Sequence, residues 1–260
     1  TLKKNPETNI AKESIPGITQ SILNESYLFE YGSEESLAFI KKHKDTIAAV
    51  LVEPVQSRDP ALQPLSYLKE LRLLTEASDI ALIFDEVITG FRIGLGGCQE
   101  YFNISADIVT YGKVIGGGLP IGIVAGKSKF LDSLDGGFWK YGDDSCPMVK
   151  STFVAGTFCH HPLAMATSLK TLEMLTSSKG ELLNQLNSIT TNFCMRMNTF
   201  FKESGIKISI VNFGSLFRFN APGRYKKIYS QLLLNGVYIW EGRNCFFSLA
   251  HNEDIIFDLE

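Results

Sequence analysis

The sequence predicts an α/β protein built on a mostly parallel sheet, and three observations carry that expectation. Apolar runs too short for helices recur at Ile47–Val52, Ile80–Phe84 and Asp107–Tyr111. Each ends in polar, proline or glycine residues, the pattern of buried parallel strands. Between the first two lies an amphipathic helix, opened by Pro64 and carrying Leu65, Leu68, Leu71, Leu74 and Ala77 at intervals of three. Strands alternating with helices pair in parallel, because the helix supplies the crossover. From about residue 165 the texture shifts to long helices and short alternating strands, which predicts a smaller α+β lobe. The expected division is a large domain over 1–164 and a linking helix with a small domain over 165–260.

Taken in order, residues 1–32 carry no strong period and read as irregular surface chain. Ser33-Glu34-Glu35-Ser36, ahead of Leu37, Phe39 and Ile40, predicts a helix start with a capping serine. The strand to Val52 runs into Glu53-Pro54-Val55-Gln56-Ser57, and the strand to Phe84 into Asp85-Glu86. Ile121–Ala125 predicts a further strand. Asp135 to Asp144 is turn-rich and aromatic, a long loop by composition, and such loops often carry function. Helices are expected from Pro162 to about Leu175 and from about Lys179 to Ser204. The second carries Leu182, Leu183, Leu186, Ile189, Phe193 and Met197 at helical spacing. Ile206–Val211 and Ser215–Phe219 alternate as strands around Gly214. Tyr225–Leu234 is a helix stopped by Asn235-Gly236, and Val237–Trp240 with Phe246–Leu249 predicts a closing antiparallel pair.

Composition narrows the function class. A chain of 260 residues, 45% hydrophobic, can bury a large core. Its net charge of −3 comes from acids and bases mixed along the chain, which argues against nucleic-acid and membrane-surface partners. The apolar runs fall far short of a bilayer span, and no signal peptide opens the sequence. Five cysteines, odd in number and without CxxC spacing, predict free thiols in a reducing cytoplasm. The chain opens on Thr1 rather than Met and stops at Glu260 inside a helical pattern, so a piece of a longer protein is expected.

The chemistry concentrates between residues 84 and 118. Asp85 and Glu86 follow one strand, and Lys113 follows the next, just before Gly116-Gly117-Gly118. Open α/β sheets bind ligands beyond the carboxyl ends of their strands. A carboxylate at one strand end and an amine at the next are what a pyridoxal phosphate enzyme needs: the lysine for a Schiff base, the acid to keep the pyridinium nitrogen protonated. Rival readings are weaker. The three glycines lack P-loop and GxGxxG spacing and read better as a tight turn. His160-His161 fits no tetrahedral metal set. Asp85-Glu86 has no Walker A partner, and Cys159 and Ser57 have no base at a motif spacing.

Four motifs then occur in order: Val-Glu-Pro-Val-Gln-Ser at 52–57, Phe-Asp-Glu-Val-Ile-Thr-Gly-Phe-Arg at 84–92, Tyr-Gly-Lys-Val-Ile-Gly-Gly-Gly-Leu-Pro-Ile-Gly at 111–122 and Ala-Gly-Thr-Phe at 155–158. Together, with 28 residues from Asp85 to Lys113, they resemble the class III pyridoxal phosphate aminotransferases, which include glutamate-1-semialdehyde aminomutase and the ω-aminotransferases. The longer runs at 52–64, 135–145, 153–165 and 238–246 are similar to a narrower branch. That branch is the aminotransferase domains of hybrid polyketide/non-ribosomal peptide synthetases, of the microcystin and mycosubtilin/iturin kind.

The resemblance implies fold type I with its N-terminal part absent, since no Gly-Ser/Thr phosphate loop precedes the Glu-Pro motif. It implies pyridoxal 5′-phosphate as cofactor and Lys113 as the catalytic amine. Asp85 would hold the ring nitrogen, Val87 pack on a ring face, Gln56 hydrogen-bond near the ring hydroxyl, and Glu53 shape the adjoining site. Thr157 would bind the phosphate of the neighbouring subunit, making the enzyme a homodimer. Arg243 is a candidate anchor for a donor carboxylate. The implied reaction passes an amino group from an amino-acid donor to a β-ketoacyl thioester on a carrier protein. Its nearest rival is a stand-alone aminotransferase or aminomutase on a small soluble substrate. A non-catalytic scaffold domain and a nucleotide-binding module are the rivals outside that class.

Overall fold

The computed structural model describes residues 2–4, 11–13 and 16–260. The chain divides into two compact units, residues 1–48 with 64–80 and residues 49–63 with 81–260. In the first unit, strands β1 (Leu2–Lys4) and β2 (Ala11–Glu13) pair antiparallel, and helix α1 covers Gln20–Asn24. The expected irregularity of 1–32 is thus corrected at these elements; residues 1, 5–10, 14 and 15 lie outside the described set. Helix α2 (Glu34–Lys42) starts as predicted, with Ser33 Oγ accepting the Ser36 N–H at 3.3 Å. Glu34 and Glu35 stand in its first turn and Lys41 and Lys42 in its last, which suits the helix dipole.

Strand β3 (Ala49–Val52) belongs to the second unit, and helix α3 (Leu65–Ala77) to the first. Pro64 caps α3 from outside, its carbonyl accepting the Leu68 N–H at 3.0 Å. Helix α3 buries Tyr67, Leu68, Leu71 and Thr75, whereas Leu65 is exposed. The threefold spacing therefore identified the helix and its buried Leu68 and Leu71, but missed the buried face at both ends, where Tyr67 and Thr75 are buried and Leu65 and Ala77 are exposed. Tyr67 Oη accepts a hydrogen bond from Ser36 Oγ at 2.9 Å, which ties α3 to α2.

The second unit holds the sheet. Strands β3, β4 (Ala81–Asp85) and β5 (Ile108–Gly112) lie side by side in parallel, with α4 (Gly97–Phe102) between the last two in sequence. Strand β6 (Gly122–Gly126) pairs antiparallel with β5, completing the order β3-β4-β5-β6. Only nine residues join β5 to β6, too few for a helical crossover, so the chain reverses through a 3₁₀ turn at Lys113–Gly116. The sheet is therefore mixed and mostly parallel. Leu82, Phe84 and Ile115 are fully buried. Asp107 clamps the ladder from inside: its Oδ2 accepts the Leu82 N–H at 2.8 Å and its Oδ1 pairs with Lys127 at 2.7 Å.

Helix α5 (Ser128–Asp135) leads into chain without helix or strand from 136 to 161. Helix α6 (Pro162–Ser177) and the long α7 (Glu181–Glu203) follow, then the hairpin β7 (Ser209–Phe213) and β8 (Leu216–Asn220). The hairpin turn needs Gly214, at φ +56°. Helix α7 buries Leu183, Leu186, Phe193, Cys194 and Phe201, and a core forms from Leu186, Phe193, Phe201, Ile210, Phe217, Phe247 and Ile256. Helix α8 (Ile228–Leu234) stops at Asn235-Gly236 as expected. The expected pairing of Val237–Trp240 with Phe246–Leu249 is corrected. Residues 237–240 form no strand, and β9 (Cys245–Phe246) pairs with β8 instead. The short α9 (Glu253–Leu259) follows, with Asn252 Oδ1 accepting the Ile255 N–H. Among the described residues no helix is long and apolar enough to cross a membrane.

Candidate active site

The carboxyl ends of β3, β4 and β5 bring Glu53, Asp85, Val87 and Lys113 to one end of the sheet. Val52 pairs with Phe84 in register, so Glu53 and Asp85 leave their strands at the same level. Asp85 in turn pairs with Thr110, three residues before Lys113. Half-buried Asp85 is oriented by two donors on one oxygen: the Val87 N–H at 3.1 Å and Thr110 Oγ1 at 3.3 Å, both to Oδ1. These bonds hold the carboxylate plane, while Oδ2 has no hydrogen-bond partner among the described residues.

Lys113 is exposed and opens the 3₁₀ turn with φ +52°, a left-handed conformation uncommon for a side-chain-bearing residue. Phe91 shares it at +55°, and its ring lies 5.2 Å from that of Tyr111. Two strained residues thus flank the same strand end, and strain of this kind persists only where surrounding packing dictates it. Gly117 completes the turn at φ +58°, pressed against α6: a Cβ there would stand 2.7 Å from Thr171 Oγ1 and 3.0 Å from the Thr167 carbonyl. Thr167 Oγ1 donates to the Gly116 carbonyl at 2.8 Å, so α6 holds the lysine turn from behind.

The remaining expected residues are placed less centrally. Glu53 Oε1 accepts the Ser57 N–H at 2.9 Å, closing the turn that displays half-buried Gln56. Thr157 stands in the exposed run 140–163 and, among the described residues, shows no hydrogen bond to the strand ends. Arg243 is exposed and stacks on Trp240, 5.0 Å from the ring centroid. His160 and His161 join no group of three metal-ligating side chains among the described residues. All five cysteines are free. Burial raises the Cys98 thiol and pushes Cys194 up to about 12, so neither behaves as a nucleophile near neutral pH.

Sequence reasoning assigned no site role to three groups. Glu86 is wholly buried, and burial raises its carboxyl although hydrogen bonds from Cys98, Thr89 and Gln99 oppose the shift. Tyr111 is likewise pushed up by burial. Arg92 lies under the Phe246 ring at 4.2 Å, donates to the Ile88 carbonyl at 3.0 Å, and is lowered to about 10 by burial. The signal for Glu86 was available: a second acid directly after a buried strand, with Gly96-Gly97 ten residues on.

Comparison with known proteins adds to this geometry. The family profile described as "Aminotransferase class-III" matches residues 4–249. The chain is 36% identical over 260 residues to glutamate-1-semialdehyde 2,1-aminomutase of Sulfolobus acidocaldarius, covering 92% of this chain and 58% of that protein. It is 33% identical over 240 residues to the protein of the same name from Methanosarcina acetivorans, covering 86% and 53%. A solved transaminase with PLP bound superposes with a TM-score of 0.85 at 26% identity, over 99% of this chain and 61% of that one. An omega-transaminase from Sphaerobacter thermophilus gives the same TM-score at 23% identity and shares the fold. The chain spans little more than half the length of the curated relatives it matches.

Pyridoxal phosphate is the cofactor these matches imply, and the strand ends fit it. One Asp85 carboxylate oxygen is without a hydrogen-bond partner among the described residues and could meet a ring nitrogen, and Lys113 presents an exposed side chain just beyond the adjacent strand. Gly112 has no side chain to fill the space beside Val87, whose Cγ1 would meet a Cβ there at 3.4 Å.

Proposed function

We propose a function for this chain from one premise: it belongs to the class-III aminotransferases. It is the pyridoxal-phosphate-binding part of an enzyme that moves an amino group on a small soluble substrate, as a stand-alone aminotransferase or a glutamate-1-semialdehyde-type aminomutase. The observation that carries this reading is the arrival of Asp85 and Lys113 at the ends of adjacent parallel strands. The aminomutase names of the relatives weigh toward the second form.

Bound pyridoxal phosphate would supply an electron sink beside the amino group being moved. Lys113 Nζ would hold the cofactor in the resting enzyme and, once displaced by the substrate amine, take and return the migrating proton, which its exposed position allows. Asp85 Oδ2 would keep the ring nitrogen protonated, with Oδ1 already fixed by Val87 and Thr110. Val87 would lie along one ring face, Gln56 would hydrogen-bond the ring hydroxyl, and Glu53 would close the adjoining wall. Thr157 would reach the phosphate of a second copy, so the working form is a homodimer. The exposed Phe138, Tyr141, Met148, Phe153 and Phe158 around it support that assembly. Arg243, which has no carboxylate partner among the described residues, would anchor a donor carboxylate. The division into 1–164 and 165–260 and a cytoplasmic site of action, supported by free thiols, complete the proposal.

A second reading keeps the chemistry and changes the acceptor: a β-ketoacyl thioester on a carrier protein, aminated from an amino-acid donor. The runs at 135–145 and 153–165 favour it, through their likeness to synthetase-embedded domains. The full-length protein should be incubated with pyridoxal phosphate, reduced with borohydride and mapped by peptide mass spectrometry. Labelling at Lys113 is expected, and its absence there overturns the cofactor reading. Turnover of glutamate-1-semialdehyde against a carrier-bound β-ketoacyl thioester then separates the two acceptors.

A further inference from the structure

Glu86 has no exposed surface, and its partners are all neutral. Its Oε2 accepts the Cys98 N–H at 2.6 Å and Thr89 Oγ1 at 3.1 Å, and its Oε1 accepts the Gln99 N–H at 3.3 Å. Gly97 makes room for this: a Cβ at that position would collide with Glu86 Oε2. The backbone of Glu86 is equally engaged. Its N–H donates to the Thr110 carbonyl at 3.0 Å, and its carbonyl accepts the Gly90 N–H at 2.9 Å.

The network continues to the lysine strand. Gln99 Oε1 accepts the Ala106 N–H at 2.9 Å, and Gln99 Nε2 donates to Tyr111 Oη at 3.4 Å. The Tyr111 ring occupies the place a Cβ on Gly90 would need, 2.5 Å from Cδ1. One buried side chain therefore ties the residue after Asp85 to the start of α4, and through Gln99 to the residue two before Lys113. Among the described residues no cation pairs with Glu86; burying such a carboxylate is costly, and an uncharged residue of the same shape would fill the volume at less cost. Packing alone does not account for an acid here.

We infer that Glu86 is a positioning residue: it staples the chain after β4 to α4 and, through Gln99 and Tyr111, fixes the acid at the end of β4 against the amine at the end of β5. The inference rests on the pyridoxal phosphate reading, because only a shared ring requires Asp85 and Lys113 to keep one spacing. The same network also explains why Gly90 and Gly97 stand where they do.

The test uses the full-length protein and Glu86→Gln, which preserves volume and sets an amide N–H₂ against one of the backbone donors. The dissociation constant for pyridoxal phosphate, followed by the visible absorbance of the bound cofactor, should rise about tenfold, because small misplacements of paired groups act at that scale. The pH midpoint of that absorbance should move, and kcat should fall more than KM rises. Gln99→Met, which removes the link to Tyr111, should shift all three in the same direction by less. If Glu86→Gln lowers only the melting temperature and leaves affinity and pH midpoint at wild-type values, Glu86 holds the fold and nothing more. If the wild-type protein itself shows no Lys113-linked absorbance, the cofactor reading falls and takes this inference with it.

Discussion

On the proposed function Lys113 carries two burdens, an amine that would reach the cofactor and a backbone held at φ +52°. Lys113→Ala and Lys113→Gly both delete the amine, so neither should be labelled by borohydride at position 113. They should differ in stability, because only glycine relieves the left-handed strain. Glycine should be the more stable by about 1 kcal/mol in urea denaturation, the reverse of an ordinary helical site. Asp85→Asn should lower kcat roughly 100-fold or more, as loss of a preorganised charge partner does, and a steady-state assay checks it. Glu86 gives a pH signature of its own. Its carboxyl is raised above an ordinary value of 4.5 in the folded state, so folded protein binds that proton more tightly than unfolded protein. Its contribution to stability is complete below about 4.5 and is lost as pH rises through the folded value. Glu86→Gln should remove that decline from a denaturation series. The placing of Asp85 and Lys113 at strand ends was legible because motif and strand end coincide; the network around Glu86 was not, because two of its donors lie twelve and thirteen residues on, in the first turn of α4, which only folding brings back.

At the scale of elements, the lysine turn depends on how closely α6 approaches it. Gly117→Ala would place a Cβ at φ +58° against Thr171 and Thr167, and should cost about 1–3 kcal/mol, measurable by chemical denaturation. The three parallel strands were readable as short apolar runs followed by turn residues, and α3 from its spacing. The antiparallel return of β6 was not, since an apolar run states its length but not its direction. It follows from connection length: nine residues permit a reversal and exclude a crossover helix. The C-terminal pairing was misread for a related reason. Residues 237–240 are as apolar as a strand, yet the edge of β8 is already paired by Cys245 and Phe246.

At the scale of the whole molecule, the run 140–163 is exposed throughout and rich in large apolar side chains. A second copy covering it would bring Thr157 to the partner's strand ends. Phe153→Asp in the full-length protein should therefore shift sedimentation from dimer to monomer and weaken cofactor retention together; loss of one without the other would separate assembly from the site. Composition predicted this segment as a loop, but which surface it serves depends on a molecule outside the chain. Its placement has a consequence for how such proteins diversify. The segment contributes no strand to the ladder and little to the core, so its sequence can drift at small cost to folding. Asp85 and Lys113 stay anchored at the strand ends while that segment is rewritten. One framework can in this way collect its changes in a single ribbon of chain.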